Sequence, residues 1–248
     1  MNEQGIPQSR DRLTAPYCLG NRTEDIGQGF QLRGRAFRVV PGGFTAASPK
    51  ALSGNKRAIL TGPLPDGERL RTAFLLLRMA EAPRLYLPRW SQMIMDEVTR
   101  NLIANWDMPA EKARRREEEM RRHFPEAWVE GFEPLIDAMT NDPGDRHVLA
   151  TAVRSHSELI VTYNRRHFPP ACLQAWEVDV QGPSAFLRGL HDLDPGLFVS
   201  KLHEQAVAIG ASLQGLLHSL SKNVPGFVEY FCEEQGIDLS DERRGASR

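Results

Sequence analysis

The chain has 248 residues, 41% of them hydrophobic, enough for one sizeable core and a smaller lobe. Its 31 Lys and Arg stand against 32 Asp and Glu, a formal charge of −1, so net charge gives no argument for a nucleic-acid partner and a local basic patch has to supply it. Cys18, Cys172 and Cys232 form neither a disulfide framework nor a zinc spacing, no apolar run reaches membrane-spanning length, and the start is too polar for a signal peptide; a cytoplasmic chain with reduced thiols and no membrane partner is expected.

Residues 1–57 are rich in Gly, Arg, Gln and Pro and show little periodicity, so they read as a poorly ordered extension. Ala58 to Thr61 is a short apolar run before Gly62-Pro63 and predicts a first strand. Leu70 to Ala80 predicts a helix with Leu70, Phe74 and Leu77 inward. Leu85 to Pro88 predicts a second strand that ends at the proline. From Ser91 as cap a helix runs to about Asn105 on the stripe Ile94, Val98 and Leu102, with Glu97 at the edge of that stripe. Pro109 opens a helix whose outer face, AEKARRREEEMRRHF, is the mixed charge of a solvated surface.

Ala127 to Val129 predicts a third strand and Pro134 to Met139 a short helix. Met139 to Phe168, MTNDPGDRHVLATAVRSHSELIVTYNRRHF, carries the chemistry. Asp142 suits an N-cap, Pro143 the first helical position, and Asp145 follows three residues after Asp142. Val148, Leu149, Ala152 and Val153 give one apolar helix face. Leu159 to Thr162 reads as a strand, and Asn164, Arg165, Arg166 and His167 as the loop beyond it. Trp176 to Val180 predicts a fifth strand. Strands alternating with helices imply a mostly parallel sheet covered on both faces, with ligands beyond the strands' carboxyl ends. From Pro183 the pattern turns helical: Phe186–Leu190, Phe198–Leu220 and Phe227–Glu234. The expected organisation is therefore an extension (1–57), an α/β domain (58–182), a C-terminal helical lobe (183–235) and a polar tail (236–248). On spacing alone Asp142 and Asp145 have two readings, a helix cap with a favourable dipole charge or part of a ligand site.

DPGDRHVLATAV followed by IVTYNRRHFP resembles the later signature blocks of PIN-domain nucleases, in particular VapC-like toxins with a helical C-terminal extension. PRWSQMIMDEVTRNL is similar to an earlier block, and the resemblance runs from about Arg69 to about Glu234. It implies a PIN-like parallel sheet flanked by helices, with a small C-terminal helical lobe. It also implies an endoribonuclease that hydrolyses RNA with Mg²⁺ or Mn²⁺, held by Glu97, Asp142 and Asp145 with Asn164 closing the site. The expected partners are RNA, a cognate antitoxin protein and, through the lobe, a second copy as a homodimer. Hard cations of this kind take oxygen ligands. Arg146, Arg165, Arg166 and His167 flank the carboxylates and are the expected phosphate contacts.

The first block departs from the pattern. Where the family places an Asp on strand one, AILTGPLPDGERLR offers Thr61, with Asp66 and Glu68 several residues late. Either the site is degenerate or the N-terminal segment is an aberrant reading of the gene. A non-catalytic PIN-fold module that binds RNA or protein is the alternative function.

Overall fold

The computed structural model of the chain describes residues 56–61, 67–106 and 108–239. These lie in one compact unit, Ser48–Arg248. The expectations placed on residues 1–55, on Asp66 and on the tail beyond residue 239 fall outside the described residues.

The architecture is α/β. Four strands, β1 (Arg57–Leu60), β2 (Leu87–Arg89), β3 (Leu159–Val161) and β4 (Asp179–Gln181), form a wholly parallel sheet in the order β2-β1-β3-β4. Ala58, Ile59 and all of β3 are buried, as parallel strands with both faces covered require. The intervening helices are α1 (Gly67–Ala80), α2 (Gln92–Trp106), α3 (Ala110–His123), α4 (Arg146–Arg154) and the single turn α5 (Pro170–Leu173). After β4 come α6 (Pro183–Leu193), α7 (Pro195–Ala208), α8 (Leu213–Ser221) and α9 (Pro225–Gln235).

Four elements differ from the sequence expectation, each for a local reason. Strand β2 does not stop at Pro88 but runs through it to Arg89. It is an edge strand, where a missing N–H faces no partner. Ala127 to Val129 is not a strand. Pro125 opens a 3-10 turn, Pro125–Ala127, and Trp128 makes only an isolated bridge to Trp90, the two indoles meeting edge to face at 6.0 Å. The fifth predicted strand begins late, at Asp179, because Gln174–Trp176 is a 3-10 turn closed by Glu177 in the left-handed region, φ 54°. The long helix predicted over Phe198–Leu220 is two helices. Gly210 turns the chain at φ +66°, and Ser212 restarts it by accepting a hydrogen bond from the Gly215 N–H at 2.9 Å.

Helices α6 to α9 pack on one another and, through α7 and α8, on α1. Phe186, Leu187, Phe198, Leu202, Leu217, Phe227 and Phe231 belong to the same buried cluster as the sheet. Phe198, Phe227 and Phe231 stack at 5.5–6.2 Å around the buried His191. Lys201 of α7 is also buried; its Nζ donates to the Glu81 carbonyl, just past the end of α1, at 2.9 Å. Cations are favoured there because the last carbonyls of a helix have no intrahelical donor. Among the described residues no helix is long and apolar enough to cross a membrane.

Two outcomes follow. Phe198→Ala should cost about 3–5 kcal/mol of stability, the usual loss for emptying a packed aromatic site, measured by urea denaturation. Burial holds the His191 imidazole below its ordinary pKa, against the pull of Asp192 and Glu234. The unfolded chain therefore takes up a proton near pH 6.5 that the folded chain refuses, so stability falls as pH drops below that value. His191→Phe should flatten the difference in unfolding free energy between pH 7.5 and pH 5.5.

Candidate metal and nuclease site

The sheet order places the site. From β1 the chain moves outward to β2 and then returns past β1 to β3, so the winding reverses between β1 and β3, and in open α/β sheets ligands bind beyond the carboxyl ends of the strands at such a point. The Thr61 N–H continues the ladder one residue past β1, donating to the Val161 carbonyl at 3.1 Å. Helices α2 and α4 start at this rim and pack on each other.

The approach to α4 is a 3-10 turn, Pro143–Asp145, rather than a direct helix start. Asp142 caps that turn: its Oδ1 accepts the Gly144 N–H at 3.0 Å. Asp145 then occupies the N-cap position of α4 itself, yet its side chain caps nothing. Its Oδ2 instead meets His167 Nδ1 at 2.5 Å. The Asp142 N–H donates to the His167 carbonyl at 3.2 Å, which pins the loop before α4 to the loop after β3. One ligand atom from each of Asp142, Asp145 and His167 lies within 4.8 Å of the others. The structure thus gathers Asp142 and Asp145 as the sequence anticipates. It joins to them His167, which sequence reasoning placed among the phosphate contacts.

Glu97 sits in the second turn of α2, partly buried, with its Oε2 3.7 Å from His147 Nε2. Burial raises its pKa, and the negative charge of Asp145 raises it further, while Arg100 opposes. This electrostatic coupling ties Glu97 to the Asp145 cluster. His147 is pulled the other way: burial lowers its pKa against Asp145 and a backbone hydrogen bond at Gly144. Asn164 heads the 3-10 turn Arg165–His167, and its N–H donates to Thr162 Oγ1 at 3.0 Å. Arg165 and Arg166 are exposed, and Arg146 is partly buried with its Nε 3.5 Å from the Asn141 carbonyl.

Sequence reasoning gave no place to Asn141 or to the Glu97–His147 contact. Asn141 is 3% exposed, and neither of its side-chain polar atoms has a hydrogen-bond partner; His147 Nε2 is likewise buried without one. A buried, unpaired amide costs roughly 1–3 kcal/mol and needs a reason. Two signals were available: Asn141 adjoins Asp142, and His147 lies two residues beyond Asp145.

The donor set fits a divalent cation. Two carboxylates and an imidazole lie within one coordination span, a third carboxylate, Glu97, is near enough to feel the Asp145 charge, and buried polar atoms stand unpaired alongside.

In comparison with known proteins, the chain is 45% identical over 67 residues to a Mycobacterium tuberculosis protein described as "Putative ribonuclease VapC50". The similarity covers 27% of this chain and spans 40% of that protein's length. No family model matches the chain. No solved structure matches it either.

If Asp145 is what strains Glu97, Asp145→Asn should lower the Glu97 titration midpoint. Burial should still hold it above the ordinary glutamate value. Carboxyl ¹³C chemical shifts against pH read both directly, and an unmoved midpoint would place Glu97 away from the cluster.

Proposed function

We propose that the chain is a VapC-like endoribonuclease of a toxin–antitoxin pair, hydrolysing RNA phosphodiesters with the help of a divalent cation. The observation that carries this reading is the grouping of Asp142 and Asp145 at the rim beyond the carboxyl ends of β1 and β3, with Glu97 on α2 near enough to feel the Asp145 charge. The partial similarity to the mycobacterial protein supports it.

In this reading Glu97, Asp142 and Asp145 hold the cation, Mg²⁺ or Mn²⁺, and Asn164 closes the site. A bound dication supplies an activated water and charge neutralisation at the leaving oxygen. The rest falls to the chain's own groups. Arg165 and Arg166, exposed on the loop after β3, and Arg146 at the start of α4 bind the RNA phosphates, so affinity falls with salt. The hydrogen bond from Asp142 N–H to the His167 carbonyl keeps the two loops in register, which preorganises the carboxylates. The protein partner in this reading is a cognate antitoxin or a second copy.

A second reading, a non-catalytic module of the same fold, is favoured by one residue. Thr61 stands directly beyond β1, where the resemblance calls for an Asp. A neutral hydroxyl neither neutralises a cation nor binds it as a carboxylate does.

The two readings part in an assay on total RNA with Mn²⁺. The unsubstituted chain should cut slowly. Thr61→Asp should raise the rate by roughly a hundredfold, the equivalent of about 3 kcal/mol of transition-state stabilisation. Asp145→Asn should abolish cutting in either background. No cleavage by any of the proteins would favour the non-catalytic reading. Efficient cleavage by the unsubstituted chain would mean that Thr61 is no defect.

A further inference from the structure

We infer that the Arg121 guanidinium is a stacking platform for an unpaired nucleobase, so that the site takes RNA as a single strand, with one base laid flat on Arg121 beside the phosphate to be cut. The inference rests on the ribonuclease reading above and names the form of its substrate.

Placement comes first. Trp90 is the first residue past β2 and bridges Trp128: its N–H donates to the Ala127 carbonyl at 3.0 Å, and its carbonyl accepts the Val129 N–H at 2.9 Å. Trp128 therefore sits at the carboxyl end of β2, which runs parallel to β1 and finishes at the same rim. Arg121, in the last turn of α3, covers the Trp128 ring, its guanidinium carbon 3.6 Å from the ring centre. Its Nη2 donates to Gln92 Oε1 and, at 3.4 Å, to Glu117 Oε1. Gln92 opens α2, only about 7.5 Å along the helix axis from Glu97. Met93, 42% exposed, stands one turn before Glu97 on the same helix face. A strip thus runs from Arg121 across the first turn of α2 towards the carboxylates.

Chemistry decides between base and phosphate. The indole holds the guanidinium flat from below, and Gln92 and Glu117 hold its edge, so the plane is set before a ligand arrives. The Glu117 carboxylate pairs with the Arg121 charge, which weakens its pull on a phosphate. What stays open is the outer face of a side chain that is 49% exposed. Bases of single-stranded RNA stack on arginine planes as they do on aromatic rings. Gln92 Nε2 already donates to Asp96 Oδ1 at 2.8 Å and to Glu117 Oε1 at 3.0 Å, so its amide does not read a base edge. Selection at this point is by stacking: single strand over duplex, whose bases are already stacked, with little preference among sequences.

The test uses the full chain in EDTA, where RNA stays intact, and fluorescence anisotropy of two end-labelled oligomers of equal phosphate count. One is single-stranded RNA and the other is the same chain with abasic nucleotides throughout. The intact strand should bind about tenfold or more tightly than the abasic one. Arg121→Lys keeps the charge and removes the plane, so it should erase that difference while the salt dependence of binding stays the same. No difference between the two RNAs in the unsubstituted protein, whether both bind or neither does, overturns the inference with no variant needed. So does a difference that survives Arg121→Lys. A salt slope that falls by about one in Arg121→Gln, with Arg121→Lys binding as the unsubstituted chain does, makes Arg121 a phosphate contact and also overturns it. Base-dependent binding through Arg121 with no cleavage in Mn²⁺ keeps the inference and removes the nuclease reading. Cleavage without base-dependent binding does the reverse.

Discussion

Strand β1 lies between β2 and β3, and the reversal of winding direction that this order requires governs the rest of the molecule. Parallel strands need crossovers, right-handed ones in nearly all cases, so helices on the two sides of the reversal cover opposite faces. Their amino ends then come to the rim where the strands finish. Residues more than 40 positions apart, Glu97 on α2 and Asp145 before α4, become electrostatic neighbours for this topological reason. Bringing such carboxylates together costs energy, and a structure accepts that cost where something positive is to be bound.

That cost is distributed unevenly. Asp142 is exposed and accepts a backbone N–H, so water and a donor share its charge. Asp145 has His167. For Glu97, burial and Asp145 both work against the ionised form while Arg100 works for it, and the neighbouring His147 is itself pushed towards neutrality. The absence of a carboxylate at Thr61 removes a further repulsion.

Much of the fold was legible because its signals are periodic or punctuating. The apolar faces of α1, α2 and α4, the first two β runs, the run at Leu159 and the turn to helices at Pro183 came through. What failed was local. The Asp142-Pro143 start announces a helix, but the first three residues wind as a 3-10 turn, which carries Asp145 from inside the helix to its cap. Apolar spacing runs unbroken from Phe198 to Leu220, so periodicity alone hides the break that Gly210 and the capping Ser212 make. His167 reads as one more basic residue after two arginines. Its bond to Asp145 closes over 22 positions and has no trace in local pattern. Thr61 was legible as a departure from the family's first block, and the strand it follows is present as expected.

The buried ammonium of Lys201 on the carbonyl that ends α1 has a consequence for the order in which the molecule comes into being. The two residues are 120 positions apart, and the amine is made long after the helix it caps. Closing so long a loop is entropically slow. During synthesis the sheet and the whole carboxylate rim leave the ribosome before the helices that cover α1. Until α7 arrives, the apolar flank of α1 stays open to solvent, to chaperones or to a partner. The chain thus passes through a stage in which it is both unfinished and accessible.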